Sequence, residues 1–207
     1  MFIRTTRMLV ILLILAFSVN AAYAMQEGAW FNHKRGETPL YFIHLIAGVG
    51  IANLQYERIV GNQIGSNRDL GIGINFPIRD SQFALGVEYL HSRINTRYIM
   101  HDQGHILISD WLYLFHALGC RLVYKPTKPA IITATIGGTL GQVDVTGFGT
   151  DDLGLSLFTR LTVGFEFDFG QVGVYSNFYN GEPKNRMHTQ IVGLFIELNI
   201  SQFRSNK

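Results

Sequence analysis

Residues 153–179 read LGLSLFTRLTVGFEFDFGQVGVYSNFY. At a period of two, Leu155, Leu157, Leu161, Val163, Phe165, Phe167 and Phe169 fall on one side, and Ser156, Arg160, Thr162, Gly164, Glu166 and Asp168 on the other. Only a β-strand sorts side chains in this way. After a reversal at Phe169-Gly170-Gln171 the alternation resumes, with Val172, Val174 and Phe178 opposite Gly173, Tyr175, Asn177 and Tyr179. The second run therefore reads as an antiparallel neighbour of the first. One face is continuously apolar, while the other mixes Gly and Thr with Arg, Glu and Asp. Such a sheet suits a wall that meets lipid on its greasy side and closes on a small polar interior.

The same pattern recurs in both directions. Leu70, Ile72, Ile74, Phe76 and Ile78 oppose Gly71, Gly73 and Asn75; Phe83, Leu85, Val87 and Tyr89 oppose Ala84, Gly86 and Glu88. Leu112, Leu114, Leu118, Leu122 and Tyr124 oppose Gly119 and Arg121, with His116 breaking the apolar face. Ala130, Ile132, Ala134, Ile136 and Leu140 oppose Thr133, Thr135, Gly137 and Thr139; Val192, Leu194, Ile196, Leu198 and Ile200 oppose Gly193, Glu197 and Asn199. The first strand, from Pro39, is less regular. Ile43, Leu45, Ala47, Val49 and Ile51 share one parity before Leu54 and Tyr56 take over the apolar role, which predicts a β-bulge between Gly50 and Asn53. Links after the second, fourth and sixth strands are short and the others longer, Arg93 to Ser109 being the longest. Alternating short and long connections with an even strand number predict an all-β chain, an eight-stranded antiparallel up-and-down transmembrane β-barrel with both ends on the periplasmic side.

Composition agrees. Charged residues make up 15% of the chain and mean hydropathy is +0.16, yet no segment after the N-terminus has the run of about 18 apolar residues that a spanning helix needs. Residues 1–24 read as a secretory signal peptide: Arg4 and Arg7, an apolar stretch from Met8 to Phe17, then Ala22-Tyr23-Ala24 as a small-x-small cleavage site. Residues 25–38 form an aperiodic periplasmic tail, and residues 39–203 the barrel. The formal charge of +2 is that of Arg4 and Arg7, so cleavage near Ala24 leaves a neutral protein and nucleic acid is not an expected partner. Cys120, the single cysteine, excludes an internal disulfide and reads as a small apolar side chain.

Signal peptide, eight alternating strands, alternating connections and an apolar last strand resemble the small outer-membrane barrels of the OmpA/OmpX type over essentially the whole mature chain. The resemblance implies residence in the outer membrane of a Gram-negative bacterium and contact with outer-membrane lipids including lipopolysaccharide. It also implies passage through the barrel-insertion machinery and a monomer. Such barrels end in an aromatic in phase with the lipid face, whereas Phe203 is out of phase with Ile196, Leu198 and Ile200.

Candidate functional residues follow from that placement. Glu57, Glu88, Glu166, Asp168 and Glu197 share the interior phase with Arg121 and Arg160, and charges in a barrel this narrow must pair. They read as a structural salt-bridge network, with a narrow ion or proton path as the sharper alternative. His44 and His116 interrupt an apolar face, as residues near an interface would. The segment from Arg93 to Ser109, with Arg93, Arg97, Tyr98, His101 and His105, is the expected contact loop; His101-Asp102-Gln103-Gly104-His105 lies on no helix that would converge it on a metal. Val174-Tyr175-Ser176-Asn177 resembles the His-x-Ser-Asn signature of the lipid A 3-O-deacylases, which would imply a lipid A deacylase-like enzyme, but Val174 stands where that family has its base. With no phosphate loop, no catalytic set and no cofactor motif, the expectation is a non-enzymatic barrel in a structural or surface-contact role. The soluble rival is a lipocalin-type periplasmic barrel with the apolar face turned inward.

Overall fold

A computed structural model describes residues 41–56, 62–78, 81–102, 105–127, 129–146, 149–167, 170–181 and 187–202. Eight strands follow one another: β1 (Tyr41–Tyr56), β2 (Asn62–Pro77), β3 (Phe83–Asp102), β4 (His105–Tyr124), β5 (Ala130–Val145), β6 (Gly149–Phe167), β7 (Gly170–Asn180) and β8 (Met187–Gln202). Each pairs antiparallel with the next, and β1 pairs with β8 from Tyr41↔Gln202 to Tyr56↔Met187, closing the barrel. Closure leaves no strand edge unpaired, the condition for crossing a bilayer with strands.

The outer wall carries the apolar side chains. Leu45, Val49 and Ile51 on β1, Leu70 and Ile72 on β2, Leu118 on β4, Ile136 and Leu140 on β5, Leu155 and Leu161 on β6 and Leu194 on β8 are all exposed, while Glu88, Arg121, Arg160 and Glu197 are buried. The soluble arrangement, with aliphatics inside, is thereby excluded. From Ile43 to Ile51 the band spans roughly 26 Å of strand at ~3.3 Å per residue. A strand tilt of ~40° turns this into roughly 20 Å of height, and the longer β4 run from Leu112 to Tyr124 into roughly 30 Å. These bracket the ~25 Å apolar band of outer-membrane barrels.

Beyond that band the polarity reverses. On β1, Asn53 and Gln55 face out and Ala52 and Leu54 face in. On β3, Arg93, Asn95 and Arg97 face out and Leu90 and Ile94 in; on β5, Gln142 and Asp144 face out and Val143 in; on β8, His188 and Gln190 face out and Ile191 in. The buried distal residues Leu54, Leu90, Ile94, Tyr113, Phe115, Val143, Phe158, Tyr179 and Ile191 form one cluster. The barrel therefore has two levels: a membrane level with a polar interior, and a distal cylinder built like a soluble barrel.

This reversal corrects two expectations. No bulge occurs in β1, whose register with β2 is unbroken from Phe42↔Asn75 to Gln55↔Asn62. The change of phase at Gly50 to Asn53 is the outer wall passing from lipid to water, not an inserted residue. The bulge lies instead between β5 and β6, where Gly141 pairs with Gly154 and Gln142 with Asp152; Gly154 has φ +74° there, a conformation glycine adopts without cost. Nor is Arg93 to Ser109 a loop. β3 and β4 remain paired to Asp102↔His105, because polar-out, apolar-in alternation sustains a strand as well as its inverse. The unequal connections are thus absorbed into strand at the distal end, leaving residues 57–61, 103–104, 146–148 and 181–186 between strands. Gly170 and Gln171 likewise belong to β7 and not to the reversal, since they pair with Phe167 and Glu166.

Cys120 gives a direct check, since it is exposed on the outer wall between Leu118 and Leu122. In proteoliposomes a charged, water-soluble maleimide is expected to leave Cys120 unmodified and to label Asn53→Cys in a Cys120→Ala background. Labelling at both sites would contradict the assigned band.

Candidate functional site: a filled lumen and a polar outer rim

Long charged side chains fit inside a narrow barrel only where their neighbours across the strands are small. Arg121 stands opposite Gly86 and Thr135, and Glu88 opposite Gly73 and Gly119. Into that space Arg121 donates from Nη1 to Glu88 Oε2 and from Nη2 to Glu197 Oε2, each at 2.7 Å. Arg160 lies one level up, 3.8 Å from Asp69 Oδ2 and 3.8 Å from Glu88 Oε1. Its guanidinium packs over Tyr175 at 4.8 Å and Phe195 at 5.8 Å, cation–π contacts that gain strength away from water. Tyr175 itself fits because Gly50 and Gly193 pair beneath it; a Cβ on Gly193 would come within 2.7 Å of its ring.

Neutral donors join the network. Asn67 donates to Asp69 at 2.8 Å and to the Tyr175 hydroxyl at 2.9 Å, and Asn177 donates to the other Asp69 oxygen at 3.1 Å. His44 is fully buried beside Glu88, with Nε2 3.7 Å from Oε2, and its Nδ1 is 3.1 Å from Asn75 Nδ2. Above the ionic level, Tyr179 stacks on Phe115 at 4.4 Å, lies 5.2 Å from Phe158 and shares a 2.6 Å hydrogen bond with Ser92. The lumen is therefore occupied twice over, by ion pairs at the membrane level and by aromatics in the distal cylinder.

Of the expected interior charges, Glu88, Arg121, Arg160 and Glu197 meet in this network. Glu166 does not: it is half-buried at the turn end and pairs with Lys125. Glu57 and Asp168 lie outside the described residues, as does Phe203. His44 does not interrupt the apolar face but points inward; its parity with Ile46 and Gly48 was the available signal. Asp69 is a further acidic partner: it shares the inward phase of Gly71 and Gly73 but stands just ahead of the apolar alternation that starts at Leu70.

On the outer wall, Arg93 and Arg97 are exposed, and Arg97 Nε donates to Asp110 at 2.9 Å, a hydrogen bond that raises the already high pKa of the guanidinium. The side chains of Tyr98, His101 and His105 fall outside the described set. His116 does break the apolar face, and there it bonds the Tyr89 hydroxyl at 2.7 Å and packs against His91 with ring centres 4.7 Å apart. Ser176 stands between Leu161 and Val192 in the register. His188 pairs instead with Asn180, whose Oδ1 is 3.0 Å from its Nδ1, so no described base adjoins the serine.

A closed eight-stranded antiparallel barrel with an aliphatic wall and a charged, filled lumen is the fold of the small outer-membrane β-barrels. No family model and no curated protein sequence matches the chain. Among solved structures it is similar to Neisserial surface protein A, with 10% identity over 77% of this chain and 97% of that one and a TM-score of 0.53. It is also similar to the outer membrane protein OprG from Pseudomonas aeruginosa (10% identity, 79% and 97% coverage, TM-score 0.49) and to the outer membrane enzyme PagL (16%, 76% and 99%, 0.41). At these identities the likeness is one of fold, and fold alone does not assign an activity.

Proposed function

We propose that the protein is a non-enzymatic, non-conducting barrel of the outer membrane that presents a rigid β-cylinder for contact at the cell surface. The reversal of polarity carries this reading. A barrel that only braced the bilayer would need no strand beyond its apolar band, yet β3 and β4 continue to Asp102 and His105 with charged residues outside and their own apolar core within. The two-level filling of the lumen argues against a conduit, since water and ions would have to displace both Arg121 with its carboxylates and the Phe115–Tyr179 stack. Ser176, flanked in the register by Leu161 and Val192 and with Val174 two residues before it, has among the described residues no neighbouring base of the kind a serine nucleophile requires.

Planar-bilayer recording separates the readings. The purified barrel is expected to give no discrete conductance steps; steps that change in Arg160→Ala would establish a channel instead. Expression in cells should leave lipid A acylation unaltered, and a deacylated product lost in Ser176→Ala would establish the enzyme. The contact role itself is tested by joining Arg97 to Asp110 through a short turn. The shortened barrel should insert normally and lose surface adhesion relative to the full chain; unchanged adhesion would remove the role.

A further inference from the structure

The first outward residues above the apolar band are not alike around the barrel. β1 offers Asn53, β5 Gln142, β7 Asn180 and β8 Gln190, whereas β4 and β6 offer Asp110 and Asp152. On β2 and β3 the corresponding residues are Arg68 and Arg93, both exposed and directly opposite each other in the register. Like charges facing across neighbouring strands repel. Among the described residues neither arginine has a hydrogen bond or a carboxylate partner; Arg97, two residues beyond Arg93, has Asp110. A groove of about 630 Å³ opens on the distal side of Arg93, lined also by Ser66, Asn95, Arg97, Asp110 and Asp144, so the carboxylates stand on the far side of Arg93 from the lipid and Arg68 lies outside the groove.

We infer that Arg68 and Arg93 form a binding site for the phosphate of a membrane lipid in the leaflet around the distal cylinder. Two unpaired guanidinium forks side by side match phosphate oxygens, which accept parallel N–H bonds, and the anion cancels the repulsion. The depth selects a lipid over a dissolved anion. One outward step below the pair lie Leu70, His91 and His116 in register, and a further step down lie Ile72, Tyr89 and Leu118. Descending the wall thus meets paired cations, then imidazoles and a phenol, then aliphatics. That order mirrors a phosphate, a polar linker and acyl chains, with the aromatic group at the interface where such side chains settle.

The test uses the full barrel in phosphatidylcholine nanodiscs doped with lipid A, and native mass spectrometry to count the lipid retained. Wild type is expected to keep lipid A, and Arg68→Gln/Arg93→Gln to keep about tenfold less, the loss of charge-assisted bonds worth about 1.4 kcal/mol. Arg97→Gln should match wild type. Phosphatase-treated lipid A should be held no better by wild type than by the double variant, and inorganic phosphate alone should not compete at equal concentration. Heat-modifiable gel mobility confirms that each variant is folded. Equal retention by the double variant, or undiminished binding of the dephosphorylated lipid, would overturn the site; full competition by inorganic phosphate would overturn its assignment to a lipid. None of these results bears on surface adhesion, so the contact role and the lipid site can fail separately.

Discussion

Arg121→Leu is expected to destabilise the barrel by about 3–5 kcal/mol, the cost of leaving buried charges without their partner. The change removes two 2.7 Å bonds at once and leaves both Glu88 and Glu197 without them in a buried interior. It also leaves Arg160, whose contacts with Glu88 and Asp69 are 3.8 Å, as the only described cation among these carboxylates. Urea unfolding in detergent micelles, followed by heat-modifiable mobility, measures the loss. The companion variant Arg121→Met/Glu88→Gln/Glu197→Gln should recover most of it, because a neutral interior of similar volume needs no counterion. A loss in Arg121→Leu below about 1 kcal/mol, the scale of exposed pairs, would mean that the network is hydrated and does not support the wall.

Tyr179→Ala is expected to cost a similar amount, about 3–5 kcal/mol, but in a different place. Its ring is held between Phe115 and Phe158 and its hydroxyl by Ser92, so truncation opens a cavity in the middle of the distal core. The membrane level has its own interior and should stay closed. Trypsin should then cut at Arg93 or Arg97 while the strands below remain protected in the micelle. Protection at both arginines, or loss of the whole barrel as one unit, would show that the two levels do not unfold separately.

The barrel was legible in the chain because a lipid-facing wall repeats one rule on every strand. Leu155 to Phe165 and Leu70 to Ile78 state it plainly, and closure and strand number follow. Arg121, Arg160, Glu88 and Glu197 were legible for the same reason, being the long polar residues in the inward phase. What could not be read was where the rule turns over. Ile51 is the last apolar residue on the outside of β1 and Leu54 is apolar on the inside just beyond it, so a change of environment around a straight strand looks like a change of phase, and Arg93 to Ser109, polar on its outer side, looks like a loop. Alternation reports which side chains lie together and not what solvent surrounds them. The inward placement of His44 and Asp69 is encoded in their parity with Ile46 and Gly48 and with Gly71 and Gly73, but which charges they meet depends on contacts across the lumen, which no periodicity along one strand encodes.

A wall whose greasy and wet halves meet at Arg68 and Leu70, Ile51 and Asn53, and Leu140 and Gln142 also fixes the molecule's waterline. Moving the barrel inward by one outward residue, ~5 Å after tilt, would draw both Arg68 and Arg93 into hydrocarbon; moving it outward would strip lipid from Leu70, Ile51 and Leu140 together. The protein is thereby held at one draught, and whatever it meets outside is met at a constant height above the bilayer.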